Sequence, residues 1–386
     1  MKNFIIDVGT PIFIDALSKF GHVFEVKSGK EFSVNERLNY TEVILNYEDS
    51  VHKDYIANFL KSKNINGILS FSEDNRKYWY ELAQNMDIFT NIKLPYILNQ
   101  NKLFCRKKIN SILKNKVRWD TINDFIGLGE LQYFPIIIKP YIGKGSIDVC
   151  KCESIGEVYH FLKDKDISRF YVEEFIEGEE FSIEACHIKN NHIIYGVTKK
   201  IKYPGTLVES VHISNVTTLN DEQIKIMNNI YNTLEYSDTV SHTEIMISPK
   251  GIYYIESHPR LGGDLIPTLT LPKFKDSFYE KVMEISLGKA KGLELKNQMK
   301  IRFSVFPFPS KVPCTFHFSN EAKLYLDNKP EIYLTIPFVE ECIITKERPM
   351  NSYGRPIGFA GEVDNLDDVE SKIIEITDYC NSYIFR

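Results

Sequence analysis

Residues 242–264 read His-Thr-Glu-Ile-Met-Ile-Ser-Pro-Lys-Gly-Ile-Tyr-Tyr-Ile-Glu-Ser-His-Pro-Arg-Leu-Gly-Gly-Asp. Two apolar-rich runs flank a Ser-Pro-Lys-Gly turn, which predicts an antiparallel hairpin in the second half of the chain. The hairpin carries one carboxylate on each strand, Glu244 and Glu256, and Arg260 follows the second by four residues. Facing carboxylates beside an arginine are what a site needs to hold divalent cations against a polyphosphate.

The chain has 386 residues, enough for two or three domains and a sizeable core. A net charge of −5 gives no electrostatic case for a nucleic-acid partner. No apolar run approaches the roughly 18 residues that a membrane span needs. The N-terminus sets Asp7 among its apolar residues and lacks a small-residue cleavage site, so a cytoplasmic protein is expected. The seven cysteines are scattered. Cys150 and Cys152 alone lie close, as C-x-C on a strand, which puts both on one face. They are expected to be free thiols.

Strands near 3–8, 22–26, 41–45 and 67–71 alternate with helices near 12–20, 53–63 and 74–86. This predicts a parallel α/β sheet. Gly9 follows the first strand, but G-x-G-x-x-G is absent and a turn glycine is the better account. After Pro95 a helix runs from 99 to 113. An apolar strand at 133–139 closes on Lys139-Pro140, and the loop Gly143-Lys144-Gly145-Ser146 leads to a return strand at 147–152. A helix follows at 154–163, with Ser154 and Glu157 as a capping box. A strand at 170–172 enters the acidic stretch 173–180. Strands 181–188 and 192–198 pair across Lys189-Asn190-Asn191. Helices are predicted at 221–234, 274–287 and 367–379, with short strands after Met299. The expected domain division is 1–97, 98–172, 173–298 and 299–386.

Taken in order, these features resemble the ATP-grasp superfamily over about residues 95–270. They are Lys102 on a helix, Lys139 at a strand end, the Gly/Ser loop, Glu173-Glu174-Phe175-Ile176, Glu180, and the paired Glu244 and Glu256. The resemblance implies an ATP-grasp α/β fold. Its parts are an N-terminal parallel α/β domain, a small α+β lid domain, and a larger α+β domain with an antiparallel sheet. It implies ATP and Mg2+ (or Mn2+) as cofactors. Lys102 and Lys139 would contact phosphates, and Gly143, Lys144, Gly145 and Ser146 would form the lid. Glu173, Glu174 and Ile176 would run beside adenine, with main-chain groups of Glu174 and Ile176 bonding its edge. Glu180 would take the ribose hydroxyls. Glu244 and Glu256 would ligate metal, and Arg260 would act with Lys139 on the transferring phosphoryl group. Three positions depart from the family pattern. His258 stands where Asn is usual, which leaves its place as a third metal ligand open. Asn101 stands for Asp before the first lysine, and Asp148 stands for Gly at the lid exit. The set His242, Glu244, Glu256 and His258 also reads as a transition-metal site.

Arg260-Leu261-Gly262-Gly263-Asp264 and the C-terminal region, including Tyr353-Gly354-Arg355, resemble the bacterial L-amino-acid ligases. That implies an ATP-dependent carboxylate–amine ligase acting through an acyl-phosphate. Its partners would be small-molecule carboxylates and amines, amino acids first among them, with no nucleic acid or membrane, and a homodimer is left open. Glu209, His212, Gly262 and Gly263 are the candidate substrate contacts. A carboxylase-type reaction on bicarbonate or a carbamate, and a non-catalytic nucleotide-binding module, are the alternatives.

Overall fold

Strand–helix alternation at the start of the chain folds as its spacing predicts. The structure, a computed structural model, describes residues 2–7, 11–270, 277–297 and 300–386. Gly9, residues 274–276 of a predicted helix and Met299 lie outside the described residues. Strands β1 (Asn3–Asp7), β2 (His22–Ser28), β3 (Ser33–Glu36), β4 (Thr41–Leu45), β5 (Gly67–Ser70) and β6 (Phe89–Thr90) form one sheet. Its order is β3-β4-β2-β1-β5-β6, parallel except for the β3–β4 pair. Helices Ser50–Ser62 and Arg76–Met86 bury Ile56, Leu60, Trp79 and Ala83 against Ile5, Val43 and Ile68. Burying such side chains is the main driving force of this layer.

A small antiparallel sheet follows, built from β7 (Trp119–Thr121), β8 (Ile136–Pro140), β9 (Cys150–Cys152) and β10 (Phe170–Glu174) in the order β7-β10-β8-β9. Cys150 and Cys152 do share a face, with their sulfurs 3.8 Å apart. Helix Ile155–Leu162 covers this sheet, and Ser154 Oγ accepts from the Glu157 N–H. The Glu157 carboxylate returns to the N–H of Glu153 at 2.9 Å, one residue before the position a capping box uses.

The third sheet has eight strands. They are β11 (Glu179–Ile188), β12 (Asn191–Lys202), β13 (Glu209–Ser214), β14 (Thr239–Ser248), β15 (Gly251–His258), β16 (Ile301–Val305), β18 (Ile332–Pro337) and β20 (Ile357–Val363). Strands β17 (Cys314–His317) and β19 (Glu341–Ile344) pair separately. The large sheet runs β15-β14-β11-β12-β13-β16-β20-β18, every neighbour antiparallel. The predicted hairpin is β14–β15, with Glu244 directly opposite Glu256. A register shift just after that pair sets Ile245 opposite Tyr254. Bulges of this kind re-aim side chains beside functional sites. Helix Asp221–Thr233, closed by an Asn220–Gln223 capping box, packs Met227, Ile230 and Tyr231 onto this sheet. The closing helix, Leu366–Tyr383, runs longer than its sequence pattern predicts.

Candidate functional site

Two connected hollows lie where residues from all three sheets converge. A narrow cleft is lined by Val117, Ile137, Met246 and Ile255 on its apolar walls and by residues 173–176 along one edge. A cavity of about 740 Å³ adjoins it, and the two share Lys144, Gly145, Ser146, Glu209, Glu244 and Glu256.

The edge of the cleft has a usable hydrogen-bond pattern. Glu174 N–H is committed to the Arg118 carbonyl at 2.9 Å, and Arg118 returns its own N–H to Glu174 Oε1 at 2.8 Å. Phe175 N–H goes to the Pro135 carbonyl. Among the described residues the Ile176 N–H makes no backbone hydrogen bond. The apolar walls and this edge suit a flat heterocycle that presents a donor beside an acceptor.

Lys102 and Lys139 are both buried at the inner end of the cleft. Lys102 begins helix Lys102–Asn110, and the departure at Asn101 has a local role: its side chain caps this helix by accepting from Phe104 N–H. The Lys102 ammonium is ion-paired with Glu256, which outweighs the downward push of burial and raises its pKa. Lys139 Nζ meets Glu173 at 2.7 Å. Burial and the nearby Arg106 charge hold its pKa below the usual lysine value despite Glu173. Arg106, fully buried on the same helix as Lys102, donates to Glu173 from Nε at 2.7 Å and from Nη2 at 3.0 Å. Burial raises the Glu173 carboxyl, but Arg106 and Lys139 outweigh it and bring it to about 2. The Glu173 carboxylate is therefore spent on two buried cations.

At the shared end, three carboxylates surround one ammonium. Lys200 on β12 is ion-paired with Glu244, with Glu209 at 3.2 Å and Glu180 at 3.6 Å. Glu180, Glu209 and Glu244 are also the group of acids that, among the described residues, converge closely enough to hold one cation. Behind Glu244 sits buried His242, 3.2 Å from Glu244 and 2.6 Å from Glu184. Burial lowers its pKa, but the two carboxylates outweigh that and raise it to about 9.

His258 does not stand free beside the paired glutamates. Its Nε2 lies 3.0 Å from Glu256 and its Nδ1 lies 2.7 Å from Glu73, a residue of the segment after β5. Arg260 Nε meets the same Glu73 oxygen at 2.7 Å. Burial raises the Glu73 carboxyl, but His258, Arg260 and Arg76 outweigh it and hold it far below the carboxylate range. The imidazole that replaces the family's Asn is thus matched by an acid from the N-terminal sheet.

The lid exit explains its own departure. Asp148 has φ 57, a left-handed conformation in which Gly is easiest and Asp is among the better-tolerated alternatives. Its carboxylate is held by Lys165 at 2.5 Å. Lys144 pairs with Asp74 at 2.6 Å, and Gly145 accepts from Ser352 N–H at 3.1 Å while Tyr353 packs on it.

The structure brings most of the predicted site residues together. Gly143, Glu173, Glu174, Ile176 and Glu180 line the cleft, Arg260 and Gly263 line the cavity, and Glu209 lines both. His212 is a correction. It lies on β13 opposite Lys200 and on the same face, but it is wholly buried beside Ser304 and Phe306 and lines neither hollow. Burial lowers its pKa to about 4. Gly262 also lies off the cavity, where a Cβ would come 2.9 Å from His242 Nδ1. It makes room for that histidine. The transition-metal set is corrected too, because His242 and His258 are each flanked by two carboxylates and do not converge on one point with Glu244 and Glu256. Sequence reading missed Glu73, Glu184 and Lys200. The alternation of β12 marks Lys200 as inward-facing, but Glu73 sits in a connection with no pattern to flag it.

Residues 132–268 match the sequence pattern of the ATP-grasp domain family. The chain carries an ATP-grasp domain. No curated protein matches the chain in sequence. Among solved structures, this chain is similar to an L-amino acid ligase from Bacillus licheniformis, with TM-score 0.77, 17% identity and 98% of each chain covered. It is similar to N5-carboxyaminoimidazole synthase from Aspergillus clavatus, solved with ADP and an aminoimidazole ribonucleotide, with TM-score 0.71 and 10% identity over 98% of this chain and 99% of that one. A biotin carboxylase from Campylobacter jejuni matches with TM-score 0.66 and 11% identity, over 96% and 89% of the two chains. At these identities the likeness is one of fold. Among the described residues no helix is long and apolar enough to cross a membrane.

Proposed function

We propose that this ATP-grasp chain is an ATP-dependent carboxylate–amine ligase that joins two amino acids. ATP would seat its adenine in the narrow cleft, reading the Glu174 carbonyl and the Ile176 N–H, with Glu180 toward the ribose. Lys102 and Lys139 would face its phosphates under the lid of Gly143 to Ser146. Glu244 and Glu256 would hold Mg2+ or Mn2+, which when bound supplies charge neutralisation at the phosphates. His258 would orient Glu256 through its second bond to Glu73. Arg260 would stabilise the developing charge as the substrate carboxylate takes the γ-phosphoryl group and the amine then displaces phosphate.

The observation that carries the choice of substrate is the charge balance of the 740 Å³ cavity. Its cations are already matched: Arg260 with Glu73, Arg355 with Asp264, Lys200 with Glu244 and Glu209, Lys144 with Asp74. A phosphorylated amine would need a cationic cluster in excess, as would bicarbonate beside ATP. Zwitterionic amino acids suit a site with no cation in excess, and the volume has room for two.

The test is ADP release from purified protein with pairs of amino acids, followed by mass spectrometry of the product. Glu256→Gln and Arg260→Ala should each lower kcat by about 10²-fold or more. Release unchanged in both variants, or driven by bicarbonate alone, would sink this reading.

A further inference from the structure

We propose that Phe338, Val339 and Tyr353 form a subsite for the bulky apolar side chain of one of the two substrates. This rests on the ligase reading above and deepens it. All three residues line the large cavity, yet 41–64% of each remains exposed. Their neighbours Phe306, Ile357 and Phe359 are exposed to 1% or less. These three positions therefore present bare apolar area in the wall of the cavity.

The wall is also fixed in place. Phe338 donates its N–H to the Pro356 carbonyl at 2.8 Å, and its ring stacks on Phe306 at 6.2 Å. Phe306 in turn lies under the Arg355 guanidinium at 4.1 Å. Tyr353 is held from the other side by the lid, close enough that a Cβ on Gly145 would come 2.8 Å from its ring. Fixed apolar surface costs little ordering when a ligand covers it.

The cation that stacks beneath this wall is not available to a charged side chain. Arg355, which lies over the Phe306 ring behind Phe338, is spent on Asp264, on the Ser352 carbonyl at 2.8 Å and on the Glu209 carbonyl at 3.2 Å. Placing an unpaired polar group against this surface is unfavourable, whereas an aliphatic or aromatic group loses its contact with water at no polar cost.

The experiment compares kcat/KM for ADP release with Leu, Met and Phe against Ser, Asp and Lys, each offered with the same partner amino acid. Mass spectrometry assigns each product. The apolar set should lead by about tenfold or more. Phe338→Ala and Val339→Ser should each shrink that ratio, and Phe338→Leu should restore most of it. Melting temperatures identify a variant that fails to fold, in which case the Val339→Ser ratio decides. A wild-type preference for polar side chains, or a ratio unchanged in folded variants, would overturn the proposal while leaving the ligase reading intact. If no amino-acid pair releases ADP, both fall.

Discussion

Glu173→Gln removes one charge from the inner end of the cleft and almost no volume. In the native protein this buried carboxylate accepts from Arg106, Lys139 and, at 3.0 Å, from the Tyr171 hydroxyl. The drop of its pKa from 4.5 to about 2 corresponds to roughly 3 kcal/mol of preference for the ionised form. Breaking a buried ion pair by removing one partner costs about 3–5 kcal/mol, because the remaining charge stays buried. The two routes agree, so Glu173→Gln should lose about 3 kcal/mol at pH 7. The sign in pH follows from a folded value that lies below the unfolded one. The carboxylate's contribution is fully present above pH 4.5 and disappears as pH falls through 2, so the gap between wild type and variant should narrow across that window. Urea midpoints at pH 7 and at pH 3 measure it. A loss below about 1 kcal/mol at pH 7, or a gap that ignores pH, would refute the argument that this carboxylate neutralises Arg106 and Lys139.

His242 works in the opposite direction. Burial lowers its pKa, Glu184 and Glu244 raise it to about 9, and the ordinary value is 6.5. In metal-free buffer its contribution should be complete below pH 6.5 and lost as pH rises through 9, and His242→Asn should flatten that slope in melting curves. Gly262→Ala places a methyl 2.9 Å from His242 Nδ1 and 3.3 Å from Glu184 Oε2, and should cost about 1–3 kcal/mol in urea unfolding. An unchanged midpoint would mean that His242 gives way freely. Lys144→Met removes an ion pair between exposed partners, so stability should change by less than about 1 kcal/mol, while KM for ATP rises. A larger loss of stability would mean the lid contact is stronger than an exposed pair.

The parts of this molecule that sequence made legible are those where a local pattern states the answer. The Ser-Pro-Lys-Gly turn between two apolar runs set Glu244 opposite Glu256, and that register is the one observed. Asn190 and its neighbours marked the β11–β12 turn for the same reason. Strand β3, Ser-Val-Asn-Glu, went unseen because it is a half-exposed edge without alternation of apolar and polar residues. The charged site was legible only in part, since pairing across distant segments leaves no mark on either one. Glu73 lies 185 positions before His258, and Lys200 meets carboxylates from three strands. His212 misled because Glu209 and His212 look alike in sequence as polar residues after a Pro-Gly loop. A register shift between them keeps both on the face of Lys200, but Ser304 and Phe306 cover His212 and leave only Glu209 at the cleft.

The order of the large sheet has a consequence for how the protein is made. Strand β13 pairs with β12 on one side, and its other side is covered only by β16, which begins at Ile301. As the chain is synthesised, β13 emerges long before that partner and presents an open hydrogen-bonding edge with Val211 and Ile213 beside it. Such edges recruit other strands. The C-terminal residues therefore act as a late-arriving guard for the large sheet, and a chain cut after residue 298 is expected to self-associate through β13.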